Sequence, residues 1–368
     1  MSYLEKLLEG VEVEWKTLGD VCILNRGRVM SKEYLAENAG DYPVYSSQTA
    51  NNGEIGKITT FDYIGEFITW TTDGANAGTV FHRKGKFSIT NVCGLIKIKD
   101  NNELIYGFLF YWLSIEAKKY VYSGMGNPKL MSNQITKIPI PIPPIEIQQK
   151  IVAILDTFTE LTAELTAELT ARKSQYTYYR EKLLSFDENK VEWKTLREVA
   201  IIGTGKHDTK DAIDEGDFIF YARGINPLRL NSYDFDETAI ITAGDGVGVG
   251  KVFHWAVGKY ALHQRAYRIV PDKSKISSRY VYHYVVAKFF PYIEKTSVSS
   301  SVTSMRKPMF ENFPIPVPPI EEQERIVSIL DKFDTLTTSI TEGLPKEIEL
   351  RKKQYEYYRD MLLSFPKN

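Results

Sequence analysis

Two cysteines, Cys22 and Cys93, are all that the 368 residues contain. So few thiols exclude a disulfide framework, offer no metal-ligand spacing and suit a reducing cytoplasm. No apolar run reaches 18 residues and no signal peptide is visible, so the expectation is a cytoplasmic protein that neither spans a membrane nor is exported. An excess of one charge is missing too. Lys and Arg number 46 against 47 Asp and Glu, for a formal charge of −1. A basic chain would point to nucleic acid on charge alone. Here any such affinity has to come from local patches, or from partners that share the load.

Signatures of catalysis are equally scarce. The D/N-P-P-Y/F tetrapeptide of amino-methylating enzymes is absent; Asn127-Pro128-Lys129 and Asn226-Pro227-Leu228 do not complete it. The run Gly246–Lys251 (GVGVGK) lacks the spacing of a phosphate loop or a dinucleotide fold, and reads as a turn between strands. Glu14-Trp15-Lys16 and Glu192-Trp193-Lys194 spell E-x-K, half of a metal-dependent nuclease motif, with no P-D upstream. A strand opening each copy is the plainer reading. His82 and His254 follow Gly-rich turns but have no Cys, His or carboxylate set beside them in sequence, so a structural or solvent-facing role is expected. No catalytic residue and no metal site is assigned.

What the chain does have is itself, twice. Val13–Val21 (VEWKTLGDV) returns as Val191–Val199 (VEWKTLREV), 178 residues on. Pro139–Leu155 (PIPIPPIEIQQKIVAIL) returns as Pro314–Leu330 (PIPVPPIEEQERIVSIL), 175 on, and Arg172–Phe186 (RKSQYTYYREKLLSF) as Arg351–Phe365 (RKKQYEYYRDMLLSF), 179 on. A period this long is no solenoid. It describes two copies of a domain-plus-helix unit, presenting two similar surfaces to a partner with two-fold symmetry of its own, and duplex DNA fits that description.

Four blocks follow, in an α+β arrangement. Residues 1–144 are mixed, with β-rich runs such as Phe67–Thr71 and Leu95–Ile98 and a helical stretch over Leu104–Tyr122. Residues 145–186 carry apolar side chains in steps of three and four (Ile147, Ile151, Ile154, Phe158, Leu161, Leu165, Leu169), a long amphipathic helix with a seam for another helix. Pro143-Pro144 sets its start. Residues 187–319 repeat the mixed pattern and 320–368 the helix, which Gly343-Leu344-Pro345 should break or kink. Tyr176, Tyr178, Tyr179 and Tyr355, Tyr357, Tyr358 are expected to pack or to meet a partner. Glu5–Leu8 (EKLL) before the first VEWKTL matches Glu181–Leu184 before the second. The chain therefore starts with the tail of a helix whose body lies at the C-terminus, which brings the ends together in a closed, cyclic pair.

Inside the globular blocks, Asp73–His82 (DGANAGTVFH) aligns with Asp245–His254 (DGVGVGKVFH) and Tyr42–Gln48 with Phe218–Gly224. The neighbours differ: Ser46-Ser47-Gln48 stands against Ala222-Arg223-Gly224, and Asn91-Val92-Cys93 against His263-Gln264-Arg265. One fold with two reading surfaces is the expectation.

These residues resemble the specificity subunits of type I restriction-modification systems. The resemblance covers the whole chain, through the doubled domains, the P-x-P-P-I-E-x-Q segments (Pro141–Gln148, Pro316–Gln323) and two tandem TAEL tetrapeptides, Thr162–Leu165 and Thr166–Leu169. It implies two target-recognition domains joined by two long antiparallel helices as a coiled-coil spacer, in a cyclic pseudo-two-fold. It also implies a non-catalytic subunit that reads a split, asymmetric duplex DNA target. By the same resemblance the chain scaffolds two adenine-N6 methyltransferase subunits and ATP-dependent restriction/translocase subunits. It needs no cofactor itself, with S-adenosylmethionine, Mg²⁺ and ATP belonging to the partners. In such subunits the number of tetrapeptides sets the gap between half-targets. Each TAEL adds about 6 Å of helix and about 40° beyond a full turn. From Leu330 to Arg351 the second helix is four residues longer than the first from Leu155 to Arg172.

Base reading needs Arg or Lys for guanine, Asn or Gln for adenine, and Ser or Thr as adaptable contacts. The polar turns of the first copy offer Ser46, Ser47, Gln48, Asn51, Asn52, Asn76, Asn91, Asn127 and Lys129. Those of the second offer Arg223, Asn226, Arg229, His263, Gln264, Arg265, Ser304, Arg306 and Lys307. The second set is more basic, so a more GC-containing half-site is expected there. An exposed helix face with Gln148, Gln149, Lys150, Gln323, Glu324 and Arg325 is expected to meet the methyltransferase. Two other readings stand beside this one: a nuclease using the E-x-K pairs, and a coiled-coil scaffold whose paired domains bind protein or glycan.

Overall fold

The computed structural model describes residues 7–124, 126–296 and 305–366. They form two compact units, the first from those within 7–164 together with 349–366 and the second from those within 165–348.

Each unit builds the same sheet. The first contains β1 (Glu14–Thr17), β2 (Cys22–Arg26), β3 (Ala39–Tyr45), β4 (Glu54–Ile58), β5 (Tyr63–Thr71), β6 (Val80–Ile89), β7 (Cys93–Ile98) and β8 (Pro139–Ile142), with helix α1 (Tyr106–Glu116) between β7 and β8 in the chain. Six of them pair in the order β2-β7-β5-β6-β3-β4, all antiparallel except β3 with β6, while β1 pairs with β8. The second unit repeats this with β9 (Glu192–Thr195), β10 (Ala200–Thr204), β11 (Phe218–Tyr221), β12 (Leu228–Leu230), β13 (Phe235–Ala243), β14 (Phe253–Leu262), β15 (Ala266–Pro271) and β16 (Pro314–Val317). Its order is β10-β15-β13-β14-β11-β12, with β9 on β16. Both E-x-K motifs thus lie on the strand that opens each copy, as expected.

The sheets are curled. β6 and β7 are separated by β5 in the ladder, yet only residues 90–92 connect them. The inner face of the curl holds Phe67, Phe87, Ile89, Cys93 and Leu95 in the first unit. Tyr221, Ala239, Ile241, Tyr260, Leu262 and Ala266 fill it in the second. The outer face packs on the helix. Ile68, Trp70 and Ile96 meet Phe108, Leu109 and Trp112 of α1, and Ile240 and Ile269 meet Tyr280, Val281 and Phe289 of α3 (Ser278–Thr296). Strand alternation makes this two-sided burial possible, with every second residue facing each core.

The long helix runs unbroken as α2 (Ile145–Leu183), and its counterpart is interrupted. It ends as α4 (Ile320–Thr338) and resumes as α5 (Gly343–Leu362), with Gly343 at φ +79° and Pro345 in the first turn, where no donor is needed. Phe158 stacks on Tyr358 within the first unit, and Tyr176 and Tyr179 on Phe333 within the second. The chain ends meet as well. Leu7 and Leu8 pack in one core with Leu362, Leu363 and Phe365, and the Trp15 indole N–H donates to the Pro366 carbonyl at 3.0 Å.

A buried glutamine joins helix to domain in both units. Gln148 donates to the carbonyls of Pro143 and Glu103 at 2.9 and 2.8 Å and accepts from the Ile105 N–H at 3.0 Å. Gln323 repeats this, donating to Pro318 at 2.8 Å and accepting from the Ser277 N–H at 2.8 Å. About two helical turns further on, Tyr111 donates to Asp156 at 2.6 Å, and His283 occupies the same place against Asp331 at 2.7 Å.

Replacing Gln148 or Gln323 with Ala strands at least two buried polar groups and should cost about 2–4 kcal/mol, read as a lower denaturation midpoint. His283 adds a pH dependence. Burial holds its pKa below the ordinary 6.5, although the Asp331 hydrogen bond pulls the other way. The unfolded imidazole therefore takes up a proton first, and the stability it contributes above pH about 6.5 is lost as pH falls. A His283→Tyr variant, copying the first unit, should show a smaller drop in melting temperature between pH 7.5 and 5.5. Some dependence should persist, because burial lowers His254 and His263 as well.

Candidate nucleic-acid interface

At one rim of each curled sheet, five chain segments are tied together. In the first unit the Thr90 N–H donates to the Tyr45 carbonyl at 2.9 Å, and its hydroxyl to Ser46 Oγ at 2.8 Å. The Asn91 N–H donates to Arg28 O and the Thr72 N–H to Val92 O. Asp73 bridges to Lys129, and the Leu130 N–H closes onto Thr72 O. Arg26 spans the seam, donating to Asn91 O at 2.6 Å and Thr72 Oγ1 at 3.2 Å. Ser46, Asn76, Asn91, Asn127 and Lys129 therefore share this rim, and all but the half-buried Ser46 are exposed. Ser47, Gln48, Asn51 and Asn52 lie on the adjoining loop, closed by the Ser46 N–H to Gly53 O bond. Asn51 and Asn52 turn it with φ of +48° and +53°.

The second rim follows the same plan with other side chains. His263 N–H donates to Tyr221 O, Gln264 N–H to His207 O, Gly244 N–H to Arg265 O, and Met305 N–H to Gly244 O. Gly205 lies so close beneath it that a Cβ would stand 1.8 Å from the Leu262 carbonyl; at Gly27 in the first unit the distance to Ile89 O would be 2.1 Å. Arg223, Gln264, Arg265, Asn226, Arg306 and Lys307 stand on or beside the rim, with Gln264 Nε2 donating to Asp208 at 3.1 Å.

Several expectations need correcting. Arg229 sits down strand β12, its Nη1 donating to Gly216 O, so it belongs to the strand edge and not the rim. His263 is 2% exposed and its Nδ1 accepts from the Arg265 N–H, leaving it structural. Gln148 and Gln323 are buried joints and not part of an exposed face; Gln149, Lys150, Glu324 and Arg325 remain exposed. Ser304 lies outside the described residues. The alignment of the second rim shifts by one, since the hydrogen bonds match Thr90 with His263, Asn91 with Gln264 and Val92 with Arg265.

A similar slip overturns the pairing of the two histidines. The turn after β13 holds one residue more than the turn after β5, so His82 pairs with Ile68 while Trp255 pairs with the corresponding Ile240. One residue of offset sends a side chain to the other face. His82 faces α1, 2.6 Å from Glu66 and stacked on Phe110. His254 faces the curl beside Tyr221 and meets Gly224 O at 3.0 Å. Glu66 is thus a carboxylate neighbour that the local sequence around His82 does not reveal.

Sequence reasoning also passed over the groups that hold the rims. Arg83 is 3% exposed and lies 3.6 Å from the Tyr45 ring centroid, donating to Asn52 O at 2.7 Å, with burial pushing its pKa down. Arg28 pairs with Asp62, and in the second unit His207 faces Asp234. Exposed apolar side chains on the loops, Val247 and Ile225, carried no signal beyond their place beside glycine and asparagine. The E-x-K lysines are engaged: Lys16 pairs with Glu103 and Glu14, and Lys194 with Glu192. Among the described residues no group of three or more His, Cys, Asp or Glu could hold a metal ion, and no helix is long and apolar enough to cross a membrane.

Comparison with known proteins meets this geometry. The family model of the type I restriction modification DNA specificity domain matches residues 10–172 and again 188–350. Over its full length the chain is 36% identical to the EcoR124I/EcoR124II specificity subunit of Escherichia coli, spanning 98% of that protein. It is 35% identical over 99% of its length to a putative type I specificity subunit of Haemophilus influenzae, spanning 98% of it. Among solved structures, the S subunit from M. genitalium aligns over 100% of both chains with a TM-score of 0.69 at 18% identity, a likeness of fold. A sheet and rim built twice, matched twice by one domain family, make this chain a member of the type I restriction-modification specificity family, a DNA sequence-specificity subunit with two recognition domains.

Proposed function

We propose that the two rims read the two halves of a split, asymmetric duplex target, and that the helices set the distance between the halves. The observation that supports this best is the difference at matched positions. Ser46 and Ser47 of the first unit stand where Ala222 and Arg223 stand in the second, and Asn91 where Gln264 stands, on one conserved backbone frame. Donors and acceptors of different kinds at the same place suit different bases.

The spacer role has its own support. The division between the units falls between Glu164 and Leu165, inside the TAEL pair. The buried residues of α2 are Gln148, Ile151 and Leu155, all before the repeats. A third TAEL lengthens the helix by about 6 Å, which is fewer than two base-pair steps of about 3.4 Å, and leaves both cores untouched.

The chain acts without chemistry of its own, in the cytoplasm, where its two buried thiols stay reduced. Two adenine-N6 methyltransferase subunits dock on the helices, with Gln149, Lys150, Glu324 and Arg325 on the exposed side, and restriction subunits join the larger assembly. S-adenosylmethionine, Mg²⁺ and ATP reside on those partners. Most rim charges are already paired, so DNA affinity is shared with the methyltransferase.

The test is a methylome. The chain is co-expressed with its genomic-neighbour methyltransferase in an unmethylated host, and N6-methyladenine is mapped. One split motif should appear only with this chain, and its gap should widen by one or two base pairs with a third TAEL. Methylation indifferent to the chain despite a stable complex would move the assignment to a scaffold.

A further inference from the structure

We propose that Asp245 is a positioning residue for base reading, holding Arg223 and Arg265 as a paired fork that selects guanine at two adjacent base pairs of one half-target. The proposal deepens the reading of the second unit as a recognition domain and rests on it.

The fork is assembled from three separate segments. Asp245 Oδ1 accepts from Arg223 Nη1 at 2.8 Å and Oδ2 from Arg265 Nη1 at 3.0 Å. The carboxylate is largely covered, 19% exposed, while the guanidinium side chains stand out at 41% and 63%. The backbone fixes all three. Gly244 N–H donates to Arg265 O at 2.8 Å, and Gly248 passes so near Arg223 that a Cβ there would lie 2.7 Å from its carbonyl. His263 Nδ1 takes the Arg265 N–H at 2.9 Å. Partial burial works to raise the Asp245 pKa, but the two arginine hydrogen bonds outweigh it and keep the group ionised.

Each guanidinium spends one Nη1 proton on the carboxylate and keeps Nε and Nη2, an edge that fits guanine O6 and N7. Two arginines this close repel each other, and the shared carboxylate cancels that repulsion. It also removes rotamer freedom before DNA arrives, which lowers the entropic cost of binding. The first unit has the same aspartate without the fork. Asp73 accepts from Thr72 at 2.6 Å and meets Arg26 only at 4.0 Å, while Ser47 and Val92 occupy the places of Arg223 and Arg265. The fork, and the requirement for two adjacent guanines that it sets, therefore belongs to one half-target alone.

The experiment maps the motif written by the full methyltransferase complex carrying Asp245→Asn, Asp245→Glu, Arg223→Ala or Arg265→Ala. The unsubstituted chain should require two adjacent G·C pairs in one half. Asp245→Asn should relax both by about tenfold, with the other half and the gap unchanged, and Asp245→Glu should restore part of the selectivity. Each arginine variant should relax one of the two positions. An unchanged motif in Asp245→Asn, a uniform fall in methylation with no position relaxed, or a half-target without adjacent G·C pairs would each overturn the fork. If Asp245→Asn fails to assemble, the arginine variants decide. A motif that depends on the chain but ignores these variants refutes the fork alone; no chain-dependent motif at all refutes the recognition reading with it.

Discussion

Each domain meets its long helix at one buried joint, and in both units that joint is a side-chain amide. Gln148 and Gln323 sit at the first turn of each helix and satisfy backbone groups of both the proline strand and the loop before the domain helix. An amide has both donors and an acceptor, so one residue can serve a carbonyl and an N–H at once where water is excluded. Everything downstream of that joint inherits its direction: the seam of α2, the stacking of Phe158 on Tyr358, and the place of the Asp156 and Asp331 contacts.

Around that joint the two units keep geometry and exchange chemistry. Tyr111 and His283 serve the same aspartate position, and Arg28–Asp62 and His207–Asp234 serve the same edge of the sheet. The curled sheet tolerates such exchanges because its rims are tied by backbone hydrogen bonds. Rim side chains outside those that tie it, such as Arg26 and Arg83, can vary without loosening the frame, a property a recognition domain requires.

Much of this was legible in the sequence. The repeats gave the two units, the three-and-four spacing gave α2, and Gly343-Leu344-Pro345 marked the break before α5. The matched EKLL segments anticipated the meeting of the chain ends. What stayed hidden was register and pairing. The identical VFH tripeptides suggested that His82 and His254 correspond, but one extra residue in the second turn places them on opposite faces. Local similarity cannot see an insertion that the ladder absorbs. The glutamines looked like surface polar residues because their partners, Ile105 and Ser277, lie more than 40 residues away in sequence. Residue type at turns marks candidate base readers but does not reveal their commitments: Arg229 donates to Gly216 O, His263 is buried, and Arg223 and Arg265 share one carboxylate.

The first unit is built from both ends of the chain: residues 349–366 complete a core begun by residues 7–164. During synthesis that core stays open until the last turns of α5 leave the ribosome, whereas residues 165–348 are all available earlier. Domains fold as units once their sequence is complete, so the second recognition domain matures before the first. A chain interrupted in α5 beyond residue 348 carries a finished recognition domain beside an unfinished one, with Phe108 and Trp112 left without their covering Phe365.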